Sequence, residues 1–426
     1  MIPNRWYAVL ESGDVKNKPV AIKRLGQSLV LWRDRDGNLV CMDDRCAHRG
    51  AAPSLGRVLE GEIACIYHGF RYGADGQCKR IPCAGRDAAI PPALKVPTHH
   101  VMEKYGIVFL WWGEEPETFP EPPWIDDIPA DPRECKTRTE IWPFNYVRSI
   151  ENQLDSHHWA FVHGSIMLVP GERMEDTQLD VDDDLIRWRG TLRRPHVPST
   201  KQGWDFDLKV LLPNATMIQV TPRFNSITYF TPIDEFSSWV LLRINQHYAR
   251  IPVLRQMLDF YCLKFMFLMT NYRQDFPVLN SLRPRTGGLA SRYRLVKADQ
   301  GISAYIQLRD ERIREALYGS DKSGAGLPPK SDNEPIRFNW RKTADAPNDA
   351  PFRLEARREL GLPEVVNGSA VDFPRLPMLS RKERQADIGI ERGWRRFAEW
   401  AKVQMMFPAI LPLWMIHKVI DRIDRA

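Results

Sequence analysis

The sequence has no run of about 18 uncharged apolar residues, so nothing in it reads as a membrane-spanning helix. The nearest approach is Val403 to Ile416, flanked by Lys402 and His417-Lys418, interrupted by Pro408 and Pro412, and too short to span. The opening Met1-Ile2-Pro3-Asn4-Arg5-Trp6 lacks a basic region followed by an apolar one, which argues against a secretory leader and for a cytoplasmic location. Cysteine is scarce, with 7 in 426 residues, too few for a disulfide scaffold. Charge of one sign is scarce too: 60 basic against 54 acidic side chains leave a formal +6, too weak over this length to imply a nucleic-acid partner. No G-x-G-x-x-G stands in a strand–turn–helix context, so the chain offers no dinucleotide site of its own. No internal repeat is present.

What remains is an ordinary globular composition, 43% hydrophobic and 27% charged, with 33 prolines promising long irregular connections. At roughly 100–200 residues per domain the length predicts two or three domains. From Trp6 to Trp112 short apolar runs (Ser28 to Trp32, Asn38 to Met42, Ile63 to Tyr67, Gly106 to Trp111) alternate with Gly and Asp turns such as Asp34-Arg35-Asp36-Gly37 and Ala74-Asp75-Gly76. This predicts an all-β domain over 1–115. The Pro-rich stretch Pro116 to Pro132 then marks a boundary.

A second domain, 116–318, mixes helix and strand. Tyr146 to His163 carries helical periodicity, with Gly164 as its stop. Strands are expected at 185–192, 204–211, 216–220, 227–231 and 239–248, since Trp204-Asp-Phe-Asp-Leu-Lys-Val alternates as a half-buried antiparallel strand does. Val253 to Leu279 reads as one long helix lying on that sheet. Residues 319–351 look like a long surface loop. Together with a basic, Trp-rich tail from Arg381 they make a C-terminal extension, 319–426, packing on the second domain or touching membrane.

Two short motifs carry metal chemistry. Cys46-Ala-His48 is followed, after sixteen intervening residues, by Cys65-Ile-Tyr-His68, so each of two loops offers one thiolate and one imidazole. A tetrahedral Cys2His2 zinc site would accept this set. The order C-x-H … C-x2-H is instead that of a Rieske [2Fe–2S] cluster, in which two Cys hold one iron and two His the other. Further on, Asp155-x2-His158-x4-His163 lies within the expected helix. Asp155 and His158 share a face at i,i+3. His158 and His163 are about 140° apart on a regular helix, so both reach one metal only if the helix loosens or ends near His163. Such histidines are otherwise ordinary helix residues.

The first segment resembles the Rieske domain of the Rieske non-haem iron oxygenases, down to Arg49-Gly50 after the first His and Tyr67-His68-Gly69 in the second loop. Respiratory Rieske proteins place an additional Cys in each loop. Here the nearby positions are Arg49, Gly50, Ile66 and Tyr67, which favours the oxygenase branch. Glu151-Asn152 before Asp155-x2-His158-x4-His163 resembles the same family's second motif, and the likeness covers roughly residues 5–318. It is nearest to the pheophorbide a oxygenase-like and aromatic O-demethylase-like members. The pheophorbide type's C-terminal C-x-x-C and membrane span are missing, because no Cys follows Cys262.

The resemblance implies an α+β fold, with an all-β Rieske domain followed by a helix-over-antiparallel-sheet domain of the helix-grip type found in START and Bet v 1 proteins. It implies that Cys46, His48, Cys65 and His68 hold the [2Fe–2S] cluster. It implies a mononuclear Fe(II) on His158, His163 and Asp275, with Asp259 as the weaker alternative for the carboxylate. Asp155 would bridge His158 to His68 of a neighbouring subunit in a head-to-tail homotrimer. His157 has no such role. The implied reaction uses O2 and electrons from NAD(P)H, through a reductase or ferredoxin, to hydroxylate, demethylate or ring-cleave a bulky hydrophobic ring substrate as a mono- or dioxygenase. A basic rim of Arg45, Arg49, Arg71, Lys79 and Arg80 would steer an acidic ferredoxin, although Asp43, Asp44 and Asp75 lie among these residues. Trp394, Phe397, Trp400 and Trp414 among Arg and Lys suit peripheral membrane contact through 391–426. Two alternatives stand beside the oxygenase: an electron carrier without working mononuclear iron, and a hydrophobic-ligand binding protein without chemistry.

Overall fold

The computed structural model describes residues 1–85, 89–163, 173–193, 203–221, 223–248, 252–266, 268–288 and 293–318. The expected surface loop, the C-terminal extension and the Gly164 stop lie outside these residues.

The N-terminal part is built from three small antiparallel sheets, as its turn-punctuated apolar runs predict. One pairs Arg5–Glu11 with Ile107–Trp112 and Val101–Lys104. A second holds Val20–Arg24, Gln27–Arg33, Leu39–Asp43 and Thr98–His99. The third, Arg57–Leu59, Glu62–Ala64, Arg71–Tyr72 and Cys78–Arg80, carries the second Cys/His loop. The turns are made as the sequence suggests. Asp34 Oδ1 accepts from the N–H groups of Asp36 and Asn38, and Gly37 takes a positive φ of 85°. At Gly76 a Cβ would stand 2.0 Å from the Val96 carbonyl, so only glycine fits.

The second domain is one seven-stranded antiparallel sheet. Its order is Lys136–Trp142, Ser238–Gln246, Phe224–Pro232, Ala215–Thr221, Trp204–Leu211, Leu185–Arg193, Arg173–Asp182. The alternation of its strands feeds two cores. Ile227, Tyr229 and Leu241 pack with Trp6, Phe109 and Trp111 of the first sheet. Phe230 and Val240, pointing the other way, pack with residues of helices α1 (Tyr146–Leu154), α4 (Phe276–Ser281) and α5 (Gln300–Tyr318). Each fully buried Ile, Phe or Leu contributes roughly 1.5–3 kcal/mol. The sheet therefore sits between the first domain and a helical layer, and the helical layer carries the second motif.

Three sequence expectations need correction. The helix expected over Tyr146 to His163 is two, α1 and a short α2 (His158–Val162), separated at Asp155-Ser156-His157. Asp155 leaves the helix in extended conformation and turns its side chain onto the start of α2, because a short carboxylate competes for free N–H groups. The strand expected over Ile63 to Tyr67 ends at Ala64, where the Cys65 loop begins. The single helix expected over Val253 to Leu279 is α3 (Pro252–Phe260), two π-helical stretches (Tyr261–Met266 and Leu268–Asp275) and α4. Strands Lys136–Trp142 and Arg173–Asp182 and helix α5 were not foreseen. The first carries an Arg138–Glu140 ion pair in place of apolar alternation, and the second is an exposed, acidic edge whose only alternating apolar residues, Leu179 and Val181, stay exposed.

Candidate metal centres

The two Cys/His loops are local copies of each other. Cys46 and Gly50, and Cys65 and Gly69, stand at i,i+4, and in each loop the glycine N–H donates to the cysteine carbonyl at 2.9 Å. In each the cysteine N–H donates to the residue five positions on, Ala51 or Phe70, at 2.8 Å. Gly50 and Gly69 close the loops with φ of 76° and 71°, which explains why both motifs end in glycine despite different Cys–His spacing.

The geometry sorts the donors. Cys46 and Cys65 are buried, and burial first, then the neighbouring Cys46 thiol, raises the Cys65 thiol above its usual range. The imidazoles lie outward, with His48 exposed, His68 half-buried and their ring centroids 4.7 Å apart. His48 stacks on Phe70 at 4.5 Å, and His68 leans on Tyr67 at 3.9 Å. Two buried thiols behind two outward imidazoles fit a two-iron group with a sulfur-ligated inner iron and an imidazole-ligated outer one. Tyr72, not singled out in the sequence, places its hydroxyl 3.0 Å from Cys46 Sγ.

Of the remaining cysteines Cys41, Cys78 and Cys135 are buried, Cys262 is half-buried and Cys83 is exposed, so Cys83 is no core thiol. The basic rim is partly spent in ion pairs: Arg71 binds Glu60 at 3.0 Å and Lys79 binds Asp75 at 2.6 Å.

The second centre is a triangle of three atoms. His158 Nε2 lies 3.2 Å from His163 Nε2, His163 Nε2 lies 3.1 Å from Asp275 Oδ1, and His158 Nε2 lies 3.6 Å from that oxygen. Donors about 2.1 Å from one metal at near right angles are about 3.0 Å apart, so the triangle has the size of one face of a coordination octahedron. His163 and Asp275 are buried, and Asp275 Oδ1 has no hydrogen-bond partner. Two imidazoles and a buried carboxylate oxygen without a proton donor fit a divalent iron. Asp259 does not join the triangle and accepts from Gln246 Nε2 at 3.2 Å. His157 is also outside it, with its ring edge-on to Phe161.

The end of α2 makes this convergence work. His158 is its first residue and His163 its C-terminal cap, where the helix stops with φ of -103° and ψ of -1°. Asp155 Oδ1 accepts from the N–H groups of His157 and His158 at 3.0 and 3.1 Å, and its Oδ2 stands 3.7 Å from His158 Nδ1. One third of the Asp155 side chain stays exposed. Burial lowers the His158 pKa against the pull of Asp155 and Asp275. Burial also opposes charge on His163, but the Asp275 carboxylate and the Gln274 amide outweigh it and raise the pKa. Gln274, to which sequence reasoning assigned no role beyond standing next to Asp275, places its Oε1 2.8 Å from His163 Nδ1.

Behind α1, Glu151 ties the helix to the chain that follows α4. It accepts from Gly288 N–H at 2.8 Å, from the Tyr293 hydroxyl at 2.7 Å and from Arg148 Nη1 at 3.2 Å. Burial pushes its carboxyl up to about 7 despite these donors. On the sheet, Glu140 accepts from the Tyr272 hydroxyl at 3.0 Å, three residues before Asp275.

Comparison with known proteins bears on both centres. Residues 5–100 match the Rieske [2Fe–2S] domain family, which sets aside the zinc reading of the first loops. An iron-sulfur subunit assigned to a toluene-4-sulfonate monooxygenase system of Comamonas testosteroni is 34% identical over 165 residues, 38% of this chain and 46% of that protein. Aminopyrrolnitrin oxygenase PrnD of Pseudomonas fluorescens is 32% identical over 171 residues, 37% of this chain and 45% of that one. The match thus spans less than half the length of either relative. The crystal structure of dicamba monooxygenase bound to dicamba covers 74% of this chain and 99% of its own, at 18% identity and a TM-score of 0.57, which establishes a shared fold.

Proposed function

We propose that this chain, a Rieske-domain protein with the fold of a Rieske oxygenase, is an oxygenase component. It would use O2 and electrons delivered by a reductase or ferredoxin from NAD(P)H to oxidise a bulky hydrophobic ring substrate. The observation that carries the reading is the His158–His163–Asp275 triangle in a chain that also holds two Cys/His cluster loops. An electron carrier needs no second metal face, and a ligand-binding module needs neither.

In this reading Cys46, His48, Cys65 and His68 hold the [2Fe–2S] cluster, and His158, His163 and Asp275 hold the mononuclear iron. When bound, the cluster supplies one-electron transfer and the iron supplies activation of O2 beside the substrate. The chain's own residues do the rest. Cys46 and Cys65 keep the inner side of the cluster dry, while His48 and His68 bring its outer edge to the surface. Asp155 orients the His158 imidazole through Nδ1 and offers its open carboxylate edge to His68 of a neighbouring copy. That neighbour belongs to the head-to-tail homotrimer that the family resemblance implies, a heterologous ring. The ring-substrate class rests on the relatives, one named for toluene-4-sulfonate and one crystallised with dicamba.

Among the described residues no helix is long and apolar enough to cross a membrane. We place the protein in the cytoplasm, with peripheral membrane contact through 391–426, which lie outside the described residues. Unchanged co-sedimentation with liposomes after deletion of 391–426 would remove that contact.

The deciding experiment is metal analysis of the full chain with a visible spectrum, followed by substrate-dependent NADH consumption with a generic reductase and ferredoxin across ring compounds. About three irons per chain, Rieske absorption and consumption stimulated by a ring compound are expected. Two irons and no stimulated consumption would leave an electron carrier.

A further inference from the structure

Two adjacent residues hold opposite edges of one imidazole. Asp275 Oδ1 lies 3.1 Å from His163 Nε2, and Gln274 Oε1 lies 2.8 Å from His163 Nδ1. On a regular α-helix neighbouring side chains diverge by 100°, which would send one of the pair away from the ring. Leu268–Asp275 is π-helical, with i→i+5 bonding, and its wider turn fans successive side chains through a smaller angle. Both can then straddle His163. Such π turns are rare and recur at functional sites.

We infer that Gln274 is a positioning residue that fixes the His163 tautomer and so reserves Nε2 for the metal. An amide oxygen can only accept, so the proton of a neutral His163 resides on Nδ1 and is donated to Gln274. Nε2 then presents a bare lone pair toward the point shared with His158 Nε2 and Asp275 Oδ1. With an apolar side chain in place of Gln274 the proton could sit on Nε2 and be given to Asp275, closing the triangle as a hydrogen bond instead of a metal face. The neutral amide also leaves the ring without the second negative charge that a carboxylate would bring. The inference deepens the iron reading above and rests on it.

Gln274→Met, close in volume but without an acceptor, and Gln274→Glu, which can only accept, test it in the full chain with its cluster in place. Anaerobic titration with ferrous ammonium sulfate gives the Fe(II) affinity, and added nitric oxide reports the iron environment by electron paramagnetic resonance. The visible spectrum of the cluster serves as a folding control. Gln274→Met is expected to bind Fe(II) about 10- to 100-fold more weakly and to alter the nitrosyl signal. Gln274→Glu is expected to retain affinity, because it accepts the same proton. Wild-type affinity in Gln274→Met, or equal loss in both variants, overturns the role of Gln274. Absence of Fe(II) binding by the wild-type chain overturns the iron reading and this inference together.

Discussion

His158 Nε2 and His163 Nε2 lie 3.2 Å apart at the two ends of α2, which stops at Val162, while Asp155, three residues before His158, ends α1 and accepts from the N–H groups that open α2. The residue that interrupts the helix is also the one whose free carboxylate edge faces outward. In the proposed reading, holding the start of α2 and bridging electrons are two uses of one side chain.

Asp155→Asn separates them. The amide oxygen still caps α2, so both metals and the fold are retained, but the negative charge beside His158 is gone. Substrate-dependent turnover is expected to fall at least a hundredfold while chemical reduction of the cluster stays normal. Asp155→Ala also loses the cap, at about 0.5–2 kcal/mol. Steady-state rates beside iron content decide; turnover that survives in both variants removes the bridge.

Asp275→Ala removes one corner of the triangle and leaves the cluster loops untouched. Iron should fall from about three to about two per chain, with Rieske absorption unchanged. A chain that still holds three irons would return the carboxylate ligand to another residue, Asp259 being the next to test.

Tyr72→Phe deletes the hydroxyl 3.0 Å from Cys46 Sγ and nothing else. A hydrogen bond to a cluster sulfur stabilises the reduced, more negative state, so its loss lowers the reduction potential. A bond of about 1 kcal/mol corresponds to roughly 40 mV for one electron. Protein-film voltammetry of the two forms reads this directly, and an unchanged potential would deny the contact.

Glu151 sets a pH dependence of stability. Its folded pKa, near 7, is above the usual value of 4.5, so the folded state binds the extra proton. Stability from this group is therefore present below about 4.5 and is lost as pH rises through 7, by up to about 3 kcal/mol. Glu151→Gln, which cannot ionise, should flatten the decline in melting temperature between pH 5 and 8. Parallel curves for the two proteins would show that Glu151 stays ionised.

The loops around Cys46 and Cys65 were legible because everything they need is within six residues: a thiolate, an imidazole and a glycine at i+4 that can take positive φ. The strands of the large sheet were legible where one face is apolar, as in Trp204–Leu211. Lys136–Trp142 was not, because its Arg138 and Glu140 pair with each other, with the Leu263 carbonyl and with the Tyr272 hydroxyl rather than with an apolar core. The broken helix at Asp155 was misread for a related reason. Periodicity runs through the break undisturbed, and only the side chain's preference for backbone N–H groups interrupts it.

By itself the sequence determined the chemistry: which thiolates, imidazoles and carboxylates exist, and which sit close enough along the chain to share a loop. Only the tertiary structure decided which of them meet. Asp275 lies more than a hundred residues beyond His163, and spacing along the chain cannot show that it, and not the weaker candidate Asp259, reaches the imidazole. The π-helical turn brings Asp275, with Gln274 beside it, onto the imidazole, while Asp259 turns to Gln246. That choice depends on the angle between successive side chains in a packed helix, which no spacing in the sequence records.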